Sequence, residues 1–416
     1  MFLQVYLIFL PNFLNSSNPH FHIHIAAILA EIPDRVNLSK KISRARLRDK
    51  PPNPFRLSDL EDLPEQYRLT LGGATFLLYD SFDEEDDERI IVFTTTKNIK
   101  ELFRSEVWFA DGTFKTAPSI FFQLFSILGA VSQVGINHKP QTIGMPLVHA
   151  LLQNKQQSSY DTVFRVIFEE GNRLGLTNLP RTLMSDFELA IINATQDYFG
   201  KENVRCCFFH LCQSVYRRVT SEGLQTAYTI NLEIKTAVHS LCTLAFVPVE
   251  SVEEHFLLIR DDLPDELHAV VTYFENTYIR RFTARRRCPN SAGAVLRVQR
   301  KNPRYPPILW NQYNAVLQGQ ARTNNLSESW HNRFQVVVGK HHPSLYSFLD
   351  ELKKEQADCE IMLRQLQLGQ RIRRGPDRRR RQIEDQLYRT VLKYEEYLNN
   401  RDISTYLKTV GYNIKM

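Results

Sequence analysis

Three apolar, aromatic-rich runs succeed one another with only short gaps between them, at 107–114, 121–131 and 143–152. Runs of this length that scarcely alternate with polar residues are the pattern of strands covered on both faces. Three in succession predict an antiparallel meander. A sheet buried on both sides needs helices above and below it, so an all-β chain is excluded.

The period then changes. Val163, Val166, Ile167 and Leu174 fall at helical spacing, which predicts a helix over 159–174, with Ser158 and Asp161 placed as a capping box. A strand over 182–186, a helix over 187–199, a strand over 204–209 and a helix from about Cys212 follow. Upstream, 75–80 and 89–94 read as the strands of a hairpin, and 98–105 as a short helix. The acidic loop 83–88 lacks the alternating ligands and central glycine of a calcium loop, so it reads as a solvated turn. The fold class is α/β: a ribonuclease-H-like mixed sheet, a three-strand meander and then alternating strands and helices.

At 416 residues the chain is too long for one ordinary core. The expected division begins with an apolar start and basic, loop-rich segment (1–60) and a flanking hairpin and helix (61–105). The first part of the α/β core (106–215), a helical basic insertion (216–320), a core helix (321–340) and a helical basic C-terminal region (341–416) complete it. Residues 1–10 resemble a short signal core but lack a basic segment before them. His20, His22 and His24 alternate as on one strand face, and a solvated face is the simpler reading. A basic run from Lys40 to Lys50 precedes Pro51 and Pro52.

Net charge is +6, from 52 basic and 46 acidic residues, so the placement of charge matters more than its sum. Two clusters stand out. One runs from Arg280 to Arg304 without an acidic residue and includes Arg285, Arg286 and Arg287; the other includes Arg378, Arg379, Arg380 and Arg381. They are the expected DNA-binding residues. The six cysteines form no regular framework, which points to a reducing compartment. No run reaches the roughly 18 apolar residues of a membrane span.

Three carboxylates sit where chemistry is expected. Asp111 follows an apolar strand, Asp186 ends a second, and Glu328 opens a helix in Asn324-Asn325-Leu326-Ser327-Glu328. In-line attack on a phosphodiester is helped by two metal ions about 3.5–4 Å apart, and magnesium prefers carboxylate oxygens. Each residue also has a plain reading. Asp111-Gly112 favours a turn, Asp186 is placed to cap the following helix, and Glu328 lies three residues after Asn325 as in a capping arrangement. Cys207 and His210 have the spacing of half a zinc site, but no partner half is evident; Cys212 is too close, and His239 with Cys242 is a loose pair. A structural role beside the sheet is the simpler reading. His331 shares a helix face with Glu328 and is a candidate to support the metal site from behind.

At Trp108-Phe109-Ala110-Asp111-Gly112-Thr113-Phe114, Ser185-Asp186-Phe187-Glu188, Cys207-Phe208-Phe209-His210 and Thr323-Asn324-Asn325-Leu326-Ser327-Glu328 the chain resembles the Mutator-like-element (MULE) DDE transposases. Asp111 and Asp186 are 75 residues apart, and Asp186 and Glu328 are 142 apart, which leaves room for a helical insertion. The resemblance implies DNA strand cleavage and transfer with two Mg2+ or Mn2+ ions. The first and second Asp of the family map to Asp111 and Asp186, and its Glu to Glu328, with Glu188 as a nearby competitor. The implied partner is double-stranded DNA, in the nucleus, with a homo-oligomer as the active form. Relatives often carry an N-terminal zinc-chelating DNA-binding module; no cysteine precedes Cys206, so none is expected here. The alternative is a transposase-derived DNA-binding protein without catalysis.

Overall fold

The computed structural model describes residues 37, 51–83, 88–134, 140–178, 180–286, 296–372 and 378–414. The chain forms two compact units, 1–53 and 54–416. The first holds Asn37 and residues 51–53 among the described residues, so the apolar start, the alternating histidines and the basic run at 40–50 lie outside them.

Seven strands of the second unit form one sheet: β1 (Leu77–Asp80), β2 (Ile91–Phe93), β3 (Val107–Thr113), β4 (Gln123–Val134), β5 (Pro140–Leu152), β6 (Thr182–Ser185) and β7 (Val204–Cys206). Their order is β1-β2-β5-β4-β3-β6-β7. Pairing is antiparallel from β1 through β2, β5 and β4 to β3, then parallel from β3 through β6 to β7. The expected meander is therefore present, with the flanking hairpin added to its free edge.

The apolar runs have two buried faces, as their composition demands. Trp108, Ala110, Phe125 and Ile127 join one core cluster; their neighbours Phe109, Leu124, Leu128 and Met184 join another on the opposite side. The first face is covered by α1 (Thr96–Arg104), α2 (Gln157–Arg173), α3 (Leu189–Phe199) and α4 (Phe208–Ser221). Trp108 and Phe109 are both fully buried, and each aromatic contributes roughly 1.5–3 kcal/mol by leaving water. The β4–β5 pairing slips between Ile127 and Leu128. The slip frees the Leu147 carbonyl, which accepts from Thr94 Oγ1 (2.7 Å) and Asn98 Nδ2 (3.1 Å).

Two boundaries differ from the sequence reading. The capping residue of α2 is Gln156, not Ser158, and its side chain forms no cap. Asn154 instead receives the Gln156 N–H (2.7 Å) and the Ser159 hydroxyl (2.9 Å). The strand expected to reach residue 209 ends at Cys206, and α4 begins at Phe208 rather than Cys212. A short apolar run cannot by itself separate a buried strand from a buried helix turn. The shift carries His210 into the first turn of α4.

The region beyond α4 is mostly helical: α5 (Leu232–Thr243), α6 (Val252–Arg260) and α7 (His268–Phe274) lead to a π-helical turn, Glu275–Ile279. The basic stretch that follows is not helical. It is an antiparallel pair, β8 (Arg281–Arg286) and β9 (Leu296–Lys301). The chain then returns to the sheet as α8 (Asn325–Val338) and the long α9 (Leu345–Gln367), and ends in α10 (Arg378–Leu392) and α11 (Ile403–Asn413). Trp330 and Phe334 of α8, with Leu345, Phe348 and Leu352 of α9, cover the second face. No described helix is long and apolar enough to cross a membrane.

Candidate active site

The parallel register of β3 and β6 aligns Phe109 with Met184. Two residues further along lie Asp111, still within β3, and Asp186, one residue past the end of β6. Side chains two apart share a face, and Phe109 and Met184 face the side covered by α8. Both carboxylates therefore belong to the side from which α8 brings Glu328.

The Asp111-Gly112 pair is not a turn. It continues β3, with Asp111 opposite Ser126 and Gly112 opposite Phe125. Nor do the other two carboxylates cap. The residue preceding α3 is Glu188, with no side-chain cap, and Asn324 before α8 makes none either. The Asn324 side chain reaches across instead: its Nδ2 donates to the Ala110 carbonyl (3.1 Å), and its backbone N–H donates to Cys207 Sγ (3.2 Å). The start of α8 is thus pinned to the strand residue before Asp111 and to the link between β7 and α4. Glu188, the competing carboxylate, is engaged by Lys155 Nζ (2.8 Å) and the Tyr160 hydroxyl (2.7 Å).

Two histidines interleave with the three carboxylates. His331 Nδ1 lies 3.0 Å from Asp111 Oδ2. His210 Nδ1 lies 2.9 Å from Asp186 Oδ1, and its Nε2 lies 3.6 Å from Glu328 Oε1. The His210–Asp186 contact is an ion-pair approach without hydrogen-bond alignment, since both atoms are buried and unmatched by a directed partner. Burial pulls the His210 pKa down, but Asp186 and Cys207 outweigh it and push it up to about 10. Burial, together with Asp186 and Asp111, raises the Glu328 pKa, while His210 and His331 oppose the rise. The group is an alternation of anions and a cation.

Of the expected site residues, the structure brings together Asp111, Asp186, Glu328, His210, Cys207 and His331. Arg285 and Arg286 belong to β8, Arg287 lies outside the described residues, and Arg378 to Arg381 form the exposed start of α10. His239 Nε2 contacts the Tyr228 hydroxyl (3.1 Å), and Cys242 is hydrogen-bonded with Cys212, so neither completes a site with Cys207 and His210. Sequence reasoning missed the position of His210 between two carboxylates. The signal available was its helical offset from the end of β7, which the misplaced start of α4 hid. It also missed Asn324 as the residue that fixes α8.

The buried oxygens Asp186 Oδ1 and Glu328 Oε1 accept no aligned hydrogen bond, the nearest donors being the His210 ring nitrogens at 2.9 and 3.6 Å. Buried anionic acceptors left without donors are costly, and hard divalent cations take such oxygens as ligands. Carboxylate oxygens are the donors that magnesium and manganese prefer. Among the described residues, the ligand atoms that lie within 4.8 Å of one another are those of Asp186, Cys207 and His210, a softer set than three carboxylates.

The family model of the MULE transposase domain matches residues 107–214, a stretch that contains Asp111, Asp186, Cys207 and His210 but not Glu328. No curated protein and no solved structure matches the chain.

Proposed function

The chain carries a MULE transposase domain at residues 107–214, and from that premise we propose that it is a DDE transposase, cutting DNA strands and joining them to a target. The observation that carries this reading is the convergence of Asp111, Asp186 and Glu328 from two adjacent parallel strands and a helix packed over them. The antiparallel meander followed by two parallel strands and intervening helices supports a ribonuclease-H-like core.

The three carboxylates would hold two Mg2+ or Mn2+ ions, which when bound activate the attacking oxygen and stabilise the leaving one. The chain's own residues prepare that site. His331 holds the Asp111 carboxylate at one oxygen, leaving the other to the Gly112 N–H (2.8 Å). His210, charged at neutral pH, stands between Asp186 and Glu328 and relieves their mutual repulsion. Asn324 fixes where α8 presents Glu328. Zinc at Cys207 and His210 is not required for this chemistry. The cationic residues at 285–287 and 378–381 are proposed to track the phosphate backbone, with double-stranded DNA as partner, the nucleus as site of action and a homo-oligomer as the active form.

The test is a Mg2+- or Mn2+-dependent cleavage and strand-transfer assay on the full chain beside Asp186→Ala and Asp111→Asn. Metal-dependent products should vanish in both variants, and Asp111→Asn should keep its affinity for DNA. Products that persist in either variant would sink the assignment. Duplex binding without products in the wild type would instead identify a transposase-derived DNA-binding protein.

A further inference from the structure

The register of the β8–β9 ribbon sets Arg281 opposite Lys301, Thr283 opposite Gln299 and Arg285 opposite Arg297. Strand residues alternate between faces, so these six positions share one face, on which every residue is cationic or polar. The other face carries Phe282, Ala284, Arg286, Leu296, Val298 and Arg300. Like charges placed directly opposite on neighbouring strands are destabilising, yet this face has two such pairs. Arg281 and Lys301 are exposed, and among the described residues neither has an acidic partner. Two cations on the opposite side are treated differently. Arg300 pairs with Glu253 of α6, and Arg280, at the ribbon's base, lies 3.2 Å from Glu253 and 2.7 Å from Glu275. Arg280 and Arg300 are neutralised against the body of the protein, whereas Arg281 and Lys301 keep their charge for an anion.

The base of the ribbon is tied to the carboxylate site. Tyr278 precedes β8 and Tyr305 follows β9. Both rings pack edge-on against Phe187, at 5.7 and 5.0 Å, and the Tyr305 hydroxyl donates to the Phe187 carbonyl (2.6 Å). Phe187 is the neighbour of Asp186. A ligand held along the ribbon therefore leads toward Asp186 and its neighbouring carboxylates.

We propose that the face formed by Arg281, Thr283, Arg285, Arg297, Gln299 and Lys301 is a duplex-DNA docking surface that seats the ribbon in the major groove beside the active site. The groove is about 12 Å wide and admits a two-stranded ribbon, and paired cations on its edges meet the phosphates on either side. The choice of DNA as the ligand rests on the strand-transfer reading.

The experiment measures the affinity of the full chain for random-sequence duplex DNA over a range of salt. Each phosphate contact contributes about 0.9 to the slope of log affinity against log salt. R281Q/K301Q should flatten that slope by about 1.8, so that raising salt fourfold costs the variant roughly 12-fold less affinity than the wild type. R300Q, on the opposite face, should leave the slope unchanged. Removing a like-charge pair should not lower the melting temperature, which separates the effect from unfolding. Methylation of guanine N7, which lies in the major groove, should weaken wild-type binding. An unaltered slope in R281Q/K301Q with duplex binding retained would overturn the ribbon's role and leave the strand-transfer reading standing. Equal flattening by R300Q, indifference to N7 methylation or preference for single strands would also overturn it. A wild-type chain that binds no duplex would bring down the strand-transfer reading itself.

Discussion

Two histidines near the carboxylates, His149 buried and His210 half-buried, give stability opposite dependences on pH. His149 is stacked on Trp330 at 5.0 Å and meets Ser126 Oγ at 3.2 Å. Burial, then the neighbouring His331, holds its pKa down to about 3. The unfolded chain takes up this proton first, so stability is full above the ordinary histidine value and falls as pH drops toward 3. The loss is on the order of 4 kcal/mol. His210 behaves in reverse: its raised pKa contributes stability below the ordinary value that is lost as pH climbs toward about 10. Urea midpoints measured against pH should flatten on the acid side in His149→Phe and on the alkaline side in His210→Gln. Parallel curves for wild type and His149→Phe would show that His149 takes up its proton without penalty in the fold.

The position of α8 decides whether Glu328 reaches its partners, and two contacts set it. A Cβ added at Gly144 of β5 would lie 2.9 Å from Leu326 Cβ, so strand and helix approach to a distance that only glycine allows. Gly144→Ala should destabilise by about 1–3 kcal/mol and reduce strand transfer more than DNA affinity, because it lifts the helix rather than the DNA surface. Unchanged transfer would mean that α8 can shift without moving Glu328. On the far side, the buried Glu355 of α9 receives Trp330 Nε1 (2.8 Å) and Arg333. Glu355→Ala leaves the indole N–H without an acceptor and should cost about 2–3 kcal/mol in urea denaturation, the Arg333 share being discounted for its exposure.

Across the whole molecule, the sheet, the inserted helices and the C-terminal helices share buried surface. Tyr406 of α11 donates its hydroxyl to the Phe246 carbonyl, and Tyr394 meets His255 Nε2 of α6 at 2.7 Å. Leu387, Val391, Leu407 and Val410 are buried in the same cluster as Leu241 and Phe246. Residues 54–416 should therefore melt in one cooperative transition. A chain shortened to end at residue 377 should expose that cluster, bind a hydrophobic dye and melt at a lower temperature; an unchanged melting curve would show that the last two helices are only appended.

The strands and the parity of their residues were legible in the chain itself. Apolar runs at 107–114, 121–131 and 143–152 gave β3, β4 and β5 nearly to their ends, because side-chain alternation and burial on two faces are imposed locally by the extended backbone. The same local chemistry marked Asp111, Asp186 and Glu328 as carboxylates at the ends of apolar elements. It misread the apolar stretch at 206–209, where strand gives way to helix, and it took the basic run near 285 for part of a helical region, since a ribbon of alternating arginines has little apolar signature. Tertiary structure alone decided that Glu328 rather than Glu188 joins the aspartates and that His210 stands between them. Asp186 and Glu328 are 142 residues apart. Their approach depends on the hold of Asn324 on Ala110 and on the fit of Leu326 against Gly144, contacts between distant segments that no local periodicity records.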